Sequence, residues 1–151
     1  MGGAGYTNLY GYDIGENGNV PNCLNSRGIK LFTGINKNEH YPSNYFDCIY
    51  MNLFLEHVED PLEVLGFCHR LLKPRGVLYF SISCIDSWVA KLNLKDYPGL
   101  QFPYHLNHFS AKSTKLILSK SELSDFQVKC YGSPQYLPKL ISTCLGVKRW
   151  G

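Results

Sequence analysis

Residues 45 to 76 constrain the fold most, because a buried strand, a polar edge, a capped helix and a glycine stop follow one another without interruption. Apart from Asp47, the run Phe46 to Tyr50 is apolar or aromatic, the composition of an interior strand, and it predicts a strand over Tyr45 to Met51. Asp60, Pro61 and Glu63 spell an N-cap, a first-turn proline and an acid three positions beyond the cap. They predict a helix over Asp60 to Leu72 with Leu62, Val64, Leu65, Cys68, Leu71 and Leu72 on its packed face and Glu63, His69 and Arg70 turned outward. Pro74 and Gly76 end it, and the near-continuous apolar run Gly76 to Ser83 predicts a strand buried on both faces. Strand, helix and strand in this order make a right-handed parallel crossover, so the fold class is α/β.

The flanks are less regular. Leu9 to Ile14 and Ile29 to Thr33 predict two short strands, with a ragged helical segment between them ending at Gly28, and Gly34 to Asn44 is a polar loop. Residues 84 to 109 form a long aromatic connection broken by Pro98, Gly99 and Pro103, and long connections in compact domains tend to carry function. Ser110 caps a predicted helix reaching about Ser121, Phe126 to Tyr131 is the last predicted strand, and Tyr136 to Leu145 is a helix candidate.

Bulk properties exclude several function classes. The 151 residues suit one domain with one core. A net charge of +3 from dispersed basic residues is too weak a signal for a nucleic-acid surface. Cysteines at 23, 48, 68, 84, 130 and 144 show neither a C-x-x-C pair nor metal-ligand spacing, so no structural metal and no disulfide framework is expected. The first residues lack a signal peptide's charged and apolar regions, and no run approaches the roughly 20 apolar residues that span a bilayer. A cytoplasmic protein with no membrane partner is the resulting expectation.

The motifs F-D-x-I, L-E-H-V-x-D-P and L-L-K-P-x-G, with Gly11-Tyr12-Asp13-Ile14 before them and P-x-H-L-x-x-F-S at residues 103 to 110 after them, resemble class I S-adenosylmethionine-dependent methyltransferases of the small-molecule type. The resemblance is strongest over residues 9 to 130. It implies a Rossmann-like three-layer α/β/α fold with a mostly parallel sheet in the order 3-2-1-4-5-7-6, S-adenosylmethionine as cofactor and a small-molecule methyl acceptor. Gly2-Gly3-Ala4-Gly5 lies too close to Asp13 to be the family's glycine-rich turn. No antiparallel seventh strand is recognisable after Tyr131. The expectation is a single methyltransferase-like domain, truncated and incomplete at both its N-terminus and its C-terminus.

Asp13 ends a strand, where an acid accepts hydrogen bonds from ribose hydroxyls or caps the next helix; the resemblance implies the ribose role, with Ile14 along the adenine. Asn36 stands where the family commonly has an adenine-contacting acid, and Asn52 and Leu53 resemble the segment beneath the methionine end of the cofactor. Glu56 and His57 either support the strand-to-helix turn through bonds to the backbone or face the acceptor pocket. His105 occupies the family's histidine position and is the expected catalytic base or substrate contact, since a histidine takes a proton near neutral pH. His57, Tyr104 and His108 are the expected acceptor contacts, and Trp88, Tyr97 and Phe102 could line the same cavity.

Two functional readings follow. One is a methyltransferase with an unknown small-molecule acceptor, inactive if truncation removes the glycine-rich turn. The other is a catalytically silent fold of the same kind, serving as a binding or interaction subunit. A nicotinamide enzyme would also suit Asp13, and the L-E-H-V and L-K-P-x-G motifs argue against it.

Overall fold

The computed structural model describes residues 8–13, 29–33, 41–87, 90–91, 100–132 and 142–148. The chain divides into two compact units, Met1–His40 and Tyr41–Gly151. The ragged helix expected before Gly28, most of the polar loop after Thr33 and part of the aromatic connection lie outside the described residues.

In the first unit, β1 (Tyr10–Asp13) and β2 (Lys30–Thr33) pair in parallel, Tyr10 opposite Lys30 and Asp13 opposite Thr33. The Lys30 ammonium stands 5.5 Å from the centre of the Tyr10 ring, a cation–π contact across the pair. Both strands end together, so Asp13 and Thr33 share the carboxyl edge of this small sheet.

The second unit holds β3 (Phe46–Asn52), a 3-10 helix (Leu55–His57), α1 (Pro61–Leu71), β4 (Leu72–Ser83), α2 (Ala111–Lys120), β5 (Phe126–Gly132) and β6 (Ser142–Lys148). Its sheet runs β3-β4-β6-β5, with β3 and β4 parallel and β6 antiparallel to both neighbours. This matches the 4-5-7-6 half of the order the resemblance implies. It corrects the expectation at the far end: β6 is an antiparallel strand where the helix candidate Tyr136 to Leu145 was expected to close. Local pattern is overruled here by hydrogen bonding, because Leu145 lies opposite Ser81 of β4 and Lys129 of β5, and β6 fills the gap between the facing edges of these two strands.

Asp60 caps α1, its carboxylate accepting from the amides of Leu62 (2.8 Å) and Glu63 (3.0 Å). Pro61, Leu65, Cys68 and Leu71 form the buried stripe. Leu62, expected on that stripe, is instead exposed, because it lies about 100° around the helix from Pro61. Ser110 caps α2 in a reciprocal box with Ser113, and α2 buries Thr114 and Leu118 while Leu116 faces solvent. Leu55, Leu65, Leu72, Leu78, Ile82 and Leu118 are fully buried and unite both helices and β4 in one core.

β4 begins at Leu72, earlier than the expected Gly76, and absorbs a bulge: β3 advances from Phe46 to Cys48 while β4 advances from Leu72 to Val77. Arg75 sits at φ 65° within the bulge. A Cβ on Gly76 would lie 2.8 Å from the Lys73 carbonyl oxygen and 3.1 Å from Leu72. Gly76→Ala is therefore expected to destabilise the fold by about 1–3 kcal/mol, as overpacking does. An unchanged urea midpoint would show that the bulge yields.

No helix among the described residues is long and apolar enough to cross a membrane.

Candidate active site

β3 delivers Asn52 and Leu53 at its carboxyl end. The Asn52 amide oxygen accepts the Ser81 hydroxyl at 2.6 Å, and the Leu53 amide donates to the Ser81 carbonyl at 2.9 Å. Leu53 takes a left-handed φ of 49°, a conformation that costs a side-chain-bearing residue roughly 1–2 kcal/mol. Such local strain concentrates at functional turns. Asp13 ends β1 in the other unit, whereas Ile14 and Asn36 lie outside the described residues.

The 3-10 helix after β3 carries Glu56 and His57. Glu56 is completely buried, and its Oε1 accepts from both the amide and the hydroxyl of Ser83, each at 3.2 Å. Its Oε2 has no hydrogen-bond partner among the described residues. The Glu56 backbone oxygen accepts from the amides of Leu106 (2.8 Å) and Asn107 (3.0 Å), and the Asn107 side chain donates to the Val58 carbonyl. The Glu56 carboxylate thus supports the turn, while the backbone on either side of His57 grips the aromatic loop.

That loop gathers the remaining sequence candidates. His57 Nδ1 lies 3.0 Å from the Tyr104 carbonyl oxygen, and the His57 and His105 rings meet edge to face with centres 4.7 Å apart. His105 is only 6% exposed, and its ring centre is 6.4 Å from that of His108. His108 Nε2 bonds the Leu100 carbonyl at 3.1 Å, and the Phe102 ring packs on His108. Tyr104 contributes its carbonyl to His57, and its side chain is 74% exposed. Trp88 and Tyr97 lie outside the described residues.

Ser81, Ser83 and Asn107 were not singled out by sequence, although two serines at alternate positions near the end of an apolar strand are a legible signal of polar work at its edge. Asp86 was missed too. Its carboxylate accepts from Cys84 Sγ at 2.7 Å and from the Ala111 amide, anchoring the start of α2. Burial works to raise its pKa, but the hydrogen bonds from Cys84 and Ala111 and the charge of Lys91 more than offset this and hold it below the usual carboxylate value. Burial pushes the Cys68 thiol up to about 12, which removes it as a nucleophile. Among the described residues no three His, Cys, Asp or Glu side chains converge into a metal site.

The donor chemistry fits S-adenosylmethionine. In the second unit β3 ends in Asn52, whose side-chain oxygen is an acceptor of the kind suited to the hydroxyl or ammonium groups of such a molecule.

Comparison with known proteins points the same way. The sequence profile of the methyltransferase domain matches residues 1–128. Over 36 residues the chain is 56% identical to ubiquinone biosynthesis O-methyltransferase of Histophilus somni and 50% identical to that of Pasteurella multocida. These stretches cover 24% of this chain and 15% of each of those curated relatives. Among solved structures, a Thermotoga maritima SAM-dependent methyltransferase described as a possible histamine N-methyltransferase superposes with a TM-score of 0.69 at 19% identity, covering 93% of this chain and 73% of that one. An Archaeoglobus fulgidus SAM-dependent methyltransferase reaches 0.67 at 14% identity over 93% and 75% of the two chains. The [4+2]-cyclase SpnF also shares the fold, with a TM-score of 0.66 at 14% identity over 95% of this chain and 67% of SpnF. The chain belongs to the methyltransferase domain family, with its Rossmann-like α/β fold and S-adenosylmethionine as its cofactor.

Proposed function

We propose that this chain is a S-adenosylmethionine-dependent methyltransferase domain acting on a hydroxyl group of a small molecule. The observation that carries the proposal is the family match across residues 1–128. The short, strong match to O-methyltransferases of ubiquinone biosynthesis supports oxygen as the methylated atom. In this reading, Asp13 holds the ribose hydroxyls and Ile14 and Asn36 the adenine, while Asn52 and Leu53 hold the methionine end. The acceptor-side group is His57, Tyr104, His105 and His108, gathered by the loop that the Glu56 backbone grips. Methyl transfer from an activated sulfonium asks for alignment and proton removal more than for covalent catalysis. The same proposal treats the chain as one methyltransferase-like domain in the cytoplasm; the net charge of +3 supports the absence of a nucleic-acid partner.

Isothermal titration with S-adenosylmethionine and S-adenosylhomocysteine is the direct test. Saturable heat from both is expected, and none at high protein concentration would leave a silent fold. Asp13→Ala is expected to weaken cofactor binding by about 1–3 kcal/mol, the scale of charge-assisted hydrogen bonds left unmade. Unchanged affinity would remove Asp13 from the site.

A further inference from the structure

Three features together single out His57, on the 3-10 helix, from the histidines of the loop, although His108 shares the first of them through its Nε2 bond to the Leu100 carbonyl. A backbone carbonyl only accepts hydrogen bonds, so Nδ1 of His57, 3.0 Å from the Tyr104 oxygen, must carry the hydrogen. In the neutral ring, Nε2 then holds the lone pair, because the bond made by one ring nitrogen sets the state of the other. Among the described residues nothing bonds His57 Nε2, and the ring is half-buried and so within reach of a ligand. Its orientation is held from three directions: the Tyr104 carbonyl on one nitrogen, the edge of His105 against the ring, and the loop bonded to the backbone of Glu56 and Val58 on either side. His105, the base expected from sequence, is a wall of this arrangement at 6% exposure.

We infer that His57 Nε2 is the proton acceptor for the hydroxyl that is methylated, with His105 a positioning residue. The inference rests on the methyltransferase reading. As the acceptor oxygen bonds the methyl carbon, the S–CH3 bond of the sulfonium donor breaks and its electron pair stays on sulfur. The hydroxyl proton passes to Nε2, and the resulting imidazolium returns it to solvent. The donor leaves as a neutral thioether, so charge and atoms balance.

The tautomer is testable without turnover. Long-range proton–nitrogen correlation spectra of the 15N-labelled full chain, with the His57 signal assigned by its loss in His57→Asn, are expected to show neutral His57 protonated on Nδ1. Protonation on Nε2 overturns the proposal. The second arm measures methylation of substituted phenols of graded acidity with S-adenosylmethionine as donor. His57→Asn is expected to lower kcat by about a hundredfold to ten-thousandfold for weakly acidic phenols and much less for phenols already ionised at the assay pH, with the donor affinity unchanged. An equal loss across the series, or no methylation by a wild-type chain that binds the donor, overturns it. Absence of donor binding instead overturns the methyltransferase reading itself, which separates the two failures.

Discussion

Leu78→Ala is expected to lower the unfolding free energy by about 2–5 kcal/mol, read as a shift in urea midpoint with little change in slope. Leu78 is completely buried in β4, where it stands opposite Ile49 of β3 and Val147 of β6. A strand bonded on both sides cannot shift to close the cavity left by the lost isobutyl group, so the cost should include a cavity contribution beyond the transfer energy. The internal comparison is Leu116→Ala, a similar deletion at a position 55% exposed on α2, which should change stability by no more than about 0.5 kcal/mol. Equal effects at the two sites would mean that β4 is not the centre of the core.

Glu56→Ala should be comparably damaging, although it removes a polar side chain. Two donors of Ser83, its amide and its hydroxyl, converge on Glu56 Oε1 in a fully buried setting. Each donor left unmet in such a place costs about 1–3 kcal/mol, so a total of roughly 2–6 kcal/mol is expected. Glu56→Gln keeps an acceptor for Ser83 and should lose less. Because the same residue's backbone oxygen receives the Leu106 and Asn107 amides, the alanine variant should also speed hydrogen exchange at those two amides. A wild-type midpoint with wild-type exchange would show that the turn stands without this carboxyl group.

The signals legible in the chain were local ones. The cap of α1 at Asp60, the first-turn Pro61 and the cap of α2 at Ser110 are short-range bonds between a side chain and amides two or three positions away, so the residue types alone disclose them. Strands β3 and β4 were equally open to reading from continuous apolar runs, and the L-E-H-V and L-K-P-x-G motifs identified the family before any coordinate, but β3 is not the interior strand its composition suggested, since none of its residues is buried and Asp47, Cys48, Tyr50 and Asn52 are exposed. The misplacement within α1 was a matter of angle. Leu62 looked apolar and therefore inward, but its angle around α1 turned it to solvent.

What the chain settled unaided, then, was its class, its family and the caps of its two helices, because these depend on neighbours in sequence. Tertiary structure alone decided β6, whose Ser142 to Lys148 become a strand only when β4 and β5 offer hydrogen-bonding edges on both sides. It alone separated Glu56, locked under Ser83, from His57, held by a carbonyl that lies 47 positions along the chain. No local pattern encodes which nitrogen of a ring meets a distant oxygen; that follows from the fold that brings the two together.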